Sequence, residues 1–144
     1  MYLPSMQPVP LADLPSGIKA CIVGAAGAGF PSPAQDWAQD RISLVEMLRL
    51  DRAGSFVFRI SGNSMLDAGI YDNDMVVVDR DTRPSDGSIV IAIVDSGFVC
   101  RQLCRRQGQV WLEARNAQQH YAPTSAEGVE IWGVVRTSVR DYRL

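Results

Sequence analysis

The chain has 144 residues, enough for one domain, or one domain plus an arm, with a real buried core. Its 47% apolar and 8% aromatic content is that of an ordinary globular protein. A formal charge of −2 lacks the basic excess of a dedicated nucleic-acid binder, and no apolar run reaches the roughly 18 residues of a membrane span.

Residues 1–36 read as an extended arm. Prolines at 4, 8, 10, 15, 31 and 33 prevent regular helix, and glycines at 24, 27 and 29 loosen the chain further. The opening MYLPSMQPVPLADLP has neither the basic start nor the apolar centre of a signal peptide. Within the arm, IKACIV (Ile18 to Val23) can form a short strand or a docking segment.

Residues 37–144 read as a β-rich domain that begins with one short helix. Ser43 and Glu46 form a capping box, and Ile42 before the cap is placed to pack on Met47. Leu44, Val45, Met47 and Leu48 give an apolar side to a helix running to about Asp51. After Gly54 the pattern changes to strands. Phe56 to Ile60, Met75 to Asp79 and Ser88 to Val94 are β-branched or aromatic runs. Asp95-Ser96-Gly97 is a tight turn into Phe98 to Leu103, which makes 88–103 a hairpin. Val110 to Glu113, and Val129 to Val139 around Trp132-Gly133, complete a mainly β fold of folded-over antiparallel sheets.

Three cysteines, Cys21, Cys100 and Cys104, lack metal-type spacing and a histidine cluster, so reduced thiols in a cytoplasmic protein are expected, with no metal and no cofactor. Arginines recur at 101, 105, 106, 136, 140 and 143, as a solvated surface or a local patch.

The stretch SGNSMLDAGIYDND, residues 61–74, places Ser64 between a Gly-Asn pair and a methionine, where a hydroxyl has little bulk around it. A serine attacks a carbonyl at neutral pH only if a base takes its proton. The single histidine, His120, lies in the polar loop NAQQHYAPTS, which reads as surface. Asp67 and Asp72 are weak bases in a run suited to turn formation, without the spacing or the glutamate of a calcium loop. The remaining option is a lysine made neutral by burial, as in Ser-Lys hydrolases.

SGNSMLDAGIYDNDMVVVD resembles the active-site segment of the UmuD/MucA mutagenesis proteins and, more distantly, the C-terminal domain of LexA-type repressors. AGAGFPSPAQDW at 26–37 resembles the self-cleavage segment of the same family. The resemblance extends from about residue 20 to the C-terminus, through VIAIVDSGFVCRQL at 90–103 and IWGVV at 131–135. It implies that Ser64 is the nucleophile, Ala28-Gly29 the bond cut, and the Met65 amide the support for the developing oxyanion. Small residues on both sides of the bond leave room for close approach. It further implies a homodimer that meets the RecA–single-stranded DNA filament, loses its arm, and then serves a Y-family, UmuC-like translesion polymerase as an accessory subunit. The sequence shows no helix-turn-helix before the arm, so a member of the mutagenesis branch is expected and not a repressor.

One position departs from the family pattern. Where the family places its general-base lysine, this chain has Arg101; its one lysine, Lys19, nine residues before the proposed bond on the same arm, is the other candidate for the base. Neutralising a lysine at pH 7 costs roughly 4–5 kcal/mol, within reach of burial. The same step for arginine costs roughly 7–9 kcal/mol. Self-cleavage is therefore expected to be very slow or absent. The alternative is a non-cleaving regulatory and dimerisation module that binds the polymerase uncut.

Overall fold

A computed structural model describes residues 8–10, 19–21 and 41–143. The strands, in chain order, are β1 (Val9–Pro10), β2 (Lys19–Cys21), β3 (Arg41–Ser43), β4 (Ser55–Arg59), β5 (Met75–Asp79), β6 (Ile89–Val94), β7 (Gly97–Arg106), β8 (Gln109–Glu113), β9 (Thr124–Ser125) and β10 (Glu130–Val139). Eight of them form one sheet in the order β1-β4-β5-β10-β6-β7-β8-β9, and β2 pairs with β3 in a second, two-stranded sheet. Every pairing is antiparallel, as the sequence led us to expect. IKACIV supplies β2, while β1, β3 and β9 had no counterpart in the sequence pattern.

Successive strand residues face opposite sides of a sheet. Phe58, Val76, Val78 and Ile91 accordingly gather in one buried cluster with Met65, Ile70 and Cys100. Val57 and Val77 point the other way, under Leu50. Val90, Ala92, Leu103, Leu112 and Val134 fill a third cluster. The sheet must fold over to bring these faces together. In a flat sheet β4 and β7, four places apart, would be separated by roughly 19 Å. Yet the rings of Phe58 on β4 and Phe98 on β7 lie 5.2 Å apart, centroid to centroid. Trp132 stands edge-on to Phe56, Phe58 and Phe98 and seals this junction.

Gly133 permits that closure. A Cβ there would lie 2.6 Å from Val78 Cγ1 and 3.3 Å from the Asp79 carbonyl oxygen, so only glycine lets β10 lie this close to β5. The β10–β6 register also shifts between Ile131 and Gly133, a bulge that turns Trp132 into the aromatic cluster.

The hairpin β6–β7 closes through Asp95 and Ser96, both in the left-handed region at φ 50° and 65°, and Val94 pairs with Gly97. This is a two-residue hairpin turn, with Gly97 already part of the strand. The helix is shorter than its pattern suggested: α1 spans Leu44–Met47 only. Ser43 caps it by accepting from the Glu46 N–H at 3.4 Å. Its C-terminus is a Schellman motif, in which Arg49 takes φ 60°, its N–H donates to Glu46 O, and Leu50 N–H donates to Val45 O. That motif turns Leu50 onto Val57 and Val77 and ends the helix after one turn. Met47 is left 56% exposed instead of packed over the cap; the Ile42 side chain lies outside the described residues. Among the described residues no helix is long and apolar enough to cross a membrane.

Candidate functional site

Ser64 lies in the segment between β4 and β5, and nearly every residue around it is anchored. Reciprocal backbone bonds, Ile60 N–H to Asp74 O at 2.7 Å and Asn73 N–H to Ile60 O at 2.9 Å, close the base of the segment. Gly62, at φ 91°, donates its N–H to Asp72 Oδ1 at 2.7 Å, a conformation that a side chain would strain. Met65 and Ile70 are buried on either side of the short 3-10 turn Leu66–Ala68 and hold it against the core. The acidic residues of the run thus build the loop, as their turn chemistry suggested.

A second segment, following β8, straps the turn from outside. Arg115 N–H donates to Ser64 O at 2.8 Å, and Asp67 N–H donates to Arg115 O at 2.7 Å. Asn116 Nδ2 donates to Asn63 O at 2.7 Å, and Ala117 N–H donates to Asp67 Oδ2 at 2.7 Å. Arg115, Asn116 and Ala117 gave no signal in the sequence, because each acts about fifty residues from its partner. His120 is exposed on the same loop; its neighbour Tyr121 instead lines the cleft beside Ser64.

Arg101 reaches the other wall of that cleft from β7. It follows Cys100, which is 4% exposed and anchors the strand in the core. Burial pushes the Cys100 thiol up to about 12, against the pull of the Arg101 charge, so this cysteine is no rival nucleophile. Cys104, further along the strand, accepts from Arg115 Nη2 at 2.9 Å, and burial raises its pKa as well.

Arg101 Nη1 donates to Ser64 Oγ at 3.0 Å and to Cys100 O at 2.8 Å. Its Cζ stands 5.7 Å from the centre of the Tyr121 ring. The two residues are 37 apart in sequence, and strand register alone brings them together. A guanidinium has five donors and no acceptor, so this bond is one in which the serine oxygen accepts. The hydroxyl proton has no base in it. Met65 N–H, beside Ser64, has no acceptor among the described residues. Lys19 is described as part of β2, opposite Ser43, but its side chain, like Ala28 and Gly29, lies outside the described residues. No group of three or more potential metal ligands occurs among the described residues.

The folded-over β sheet thus presents one strapped serine against a basic side chain from β7. The Peptidase S24-like family matches residues 21–136. The chain is 36% identical to Protein MucA of Salmonella typhimurium over 116 residues, which cover 80% of each. It is 38% identical to Protein ImpA of Shigella flexneri over 108 residues, 75% of this chain and 74% of that one. The LexA repressor of Streptomyces clavuligerus is 33% identical over 137 residues, 95% of this chain and 56% of the repressor. The chain therefore belongs to the Peptidase S24-like family and, within it, is of the UmuD/MucA type.

Proposed function

We propose that this is a UmuD-like SOS mutagenesis protein, a cytoplasmic homodimer that acts as accessory subunit to a Y-family, UmuC-like translesion polymerase and meets the RecA–single-stranded DNA filament. Residues 1–36 are its arm. In the family's chemistry Ser64 Oγ bonds to the Ala28 carbonyl carbon as its proton passes to a base, and the Met65 N–H supports the oxyanion. The Ala28-Gly29 bond breaks as the Gly29 amine leaves with that proton, and water then hydrolyses the Ala28 ester and frees Ser64. The similarity to MucA and ImpA supports this assignment.

One observation bears on whether the cut takes place: Arg101 Nη1 donates to Ser64 Oγ at 3.0 Å. Attack requires the hydroxyl proton to leave as the new bond forms. A neutral amine at this place can take it; a guanidinium cannot at neutral pH. It holds the oxygen by a donated bond and draws its lone pair away from the carbonyl. This favours the second form of the same function, in which the arm stays attached and the uncut chain is the polymerase-binding platform.

Two arms of one experiment separate these forms. The full chain is incubated with an activated RecA–DNA filament, then offered to an immobilised Y-family polymerase. The platform form predicts an intact chain retained on the polymerase. Appearance of a fragment beginning at Gly29, with only that fragment retained, contradicts it. Retention of neither overturns the polymerase assignment itself.

A further inference from the structure

Arg115 lies two residues beyond the end of β8 and holds both of the segments that meet in the cleft. Its main chain grips the serine turn: its N–H donates to Ser64 O at 2.8 Å, and its carbonyl accepts from Asp67 N–H at 2.7 Å. Its side chain folds back onto β7, the strand that carries Arg101. Nε donates to Gln102 Oε1, and Nη2 donates to Cys104 Sγ at 2.9 Å. Nη1 donates to Ala114 O at 3.1 Å and lies 3.8 Å from the Glu113 carboxylate, so the charge has a partner as well. Gln102 is itself anchored, because its Nε2 donates to Gly87 O at 2.9 Å. The other strap bonds, from Asn116 and Ala117, end on the turn alone.

Met65 and Cys100 share one apolar cluster, and that contact brings the turn and β7 near each other. Apolar contact is non-directional, so it does not fix the angle at which Ser64 Oγ meets the side chain at position 101. A guanidinium does have fixed directions, and this one spends all three nitrogens on acceptors while its side chain stays 31% exposed. We propose that Arg115 is a positioning residue, a brace between the turn and β7 that seats the Ser64 hydroxyl against the side chain at position 101. On the reading of Ser64 as nucleophile, the brace also sets how readily a base at that position can take its proton, since a misplacement of about 1 Å can cost about 10²-fold in rate.

The first measurement needs no cleavage. In full-length Ser64→Cys a thiol replaces the hydroxyl beside Arg101, and a cation within hydrogen-bond reach lowers a thiol pKa from its usual value of about 8.5. The pH dependence of iodoacetamide alkylation at position 64, read by peptide mass, follows that thiol apart from Cys21, Cys100 and Cys104. We expect its pKa to lie well below the usual value. Adding Arg115→Ala should return it toward that value, with a roughly tenfold smaller thiolate fraction at neutral pH. Arg115→Lys and Gln102→Ala each keep the charge but lose the two-point grip, so each should move the thiol in the same direction. A merely structural role would lower the urea midpoint and leave the thiol of the folded chain in place. The brace is overturned by a thiol at its usual value in Ser64→Cys itself, by one that Arg115→Ala does not move, or by one that responds to Arg115→Ala but to neither charge-preserving variant. The second measurement adds Arg115→Ala to Arg101→Lys at alkaline pH, where release of the fragment beginning at Gly29 should slow by about 10–100-fold. Equal rates would overturn the positioning role. No cutting by Arg101→Lys, with the thiol responding as expected, would count against Ser64 as nucleophile and leave the brace supported.

Discussion

Arg101 and Arg140 are the same chemical group in two settings. Arg140, just beyond β10, gives Nε to Asp74 Oδ1 and Nη2 to Asp74 Oδ2, both at 2.8 Å, and donates again to Gly69 O at 3.0 Å. Its guanidinium stands 4.0 Å from the centre of the Tyr71 ring. Its charge, its Nε and Nη2 donors and its flat face have partners, and the result is a clamp between the C-terminal strand and the far end of the Ser64 segment. Arg101 meets only neutral oxygens and a more distant ring. An arginine paired with a buried carboxylate ties two segments of the fold together, whereas one that meets neutral oxygens acts on the serine beside it.

The largest effect should come from changing the group that has no anion. Substitution Arg101→Lys lowers the cost of freeing a base by roughly 3–4 kcal/mol, which corresponds to about 10²–10³ in rate. Self-cleavage at Ala28-Gly29 should rise by that factor while urea stability changes little.

The clamp should respond in the opposite manner. Asp74 is 1% exposed, so Asp74→Ala leaves its partners without the acceptor that joins them. It should cost roughly 2 kcal/mol in urea unfolding, the scale of lost hydrogen bonds to a charged group, since the Arg140 left behind is partly solvated. Similar stability for the parent and Asp74→Ala would remove the contrast with Arg101.

The closure beneath both arginines depends on Gly133. An added methyl would meet Val78 Cγ1 at 2.6 Å, so Gly133→Ala should lose about 1–3 kcal/mol by overpacking. A neutral result in urea unfolding would mean that β10 can move away from β5 at no cost.

Acid provides the smallest and most graded test. The Arg140 hydrogen bond, outweighing burial and helped by the Tyr71 N–H, holds the Asp74 carboxyl below its usual range. At Asp79 burial acts upward, but the Thr82 hydroxyl, the amides of Asp81 and Thr82 and the Arg49 charge together bring its pKa down. A carboxylate with a depressed folded pKa contributes stability that is complete above its unfolded value, about 3.9, and is lost as pH falls through the folded value. Stability against urea should therefore be level from neutrality down to about pH 5 and decline below about pH 4. The decline should be shallower in Asp74→Ala, which has one such group fewer.

The sequence was most legible where the signal is local. β4, β5, the β6–β7 hairpin, β8 and β10 announced themselves through β-branched and aromatic runs between turn residues. The 61–74 loop did so through its glycines and aspartates. Pairing of Ser64 with residue 101 came from family resemblance, since a separation of 37 residues leaves no local trace. The bond between Arg140 and Asp74, across 66 residues, was hidden for the same reason, as were the strap at 115–117 and the ring of Tyr121. Apolar spacing also suggested a longer helix than exists. The Schellman turn at Arg49 ends it early, to place Leu50 over β4 and β5 rather than extend an unpacked face.

The central claim is that a donor-only side chain at position 101 keeps Ser64 from losing its proton. It is tested most directly by following the intact mass of the parent and of Arg101→Lys side by side at alkaline pH, with no filament present. The account predicts that the parent persists and that the lysine variant releases a fragment beginning at Gly29. Cutting of the parent at the same rate as the variant would contradict it.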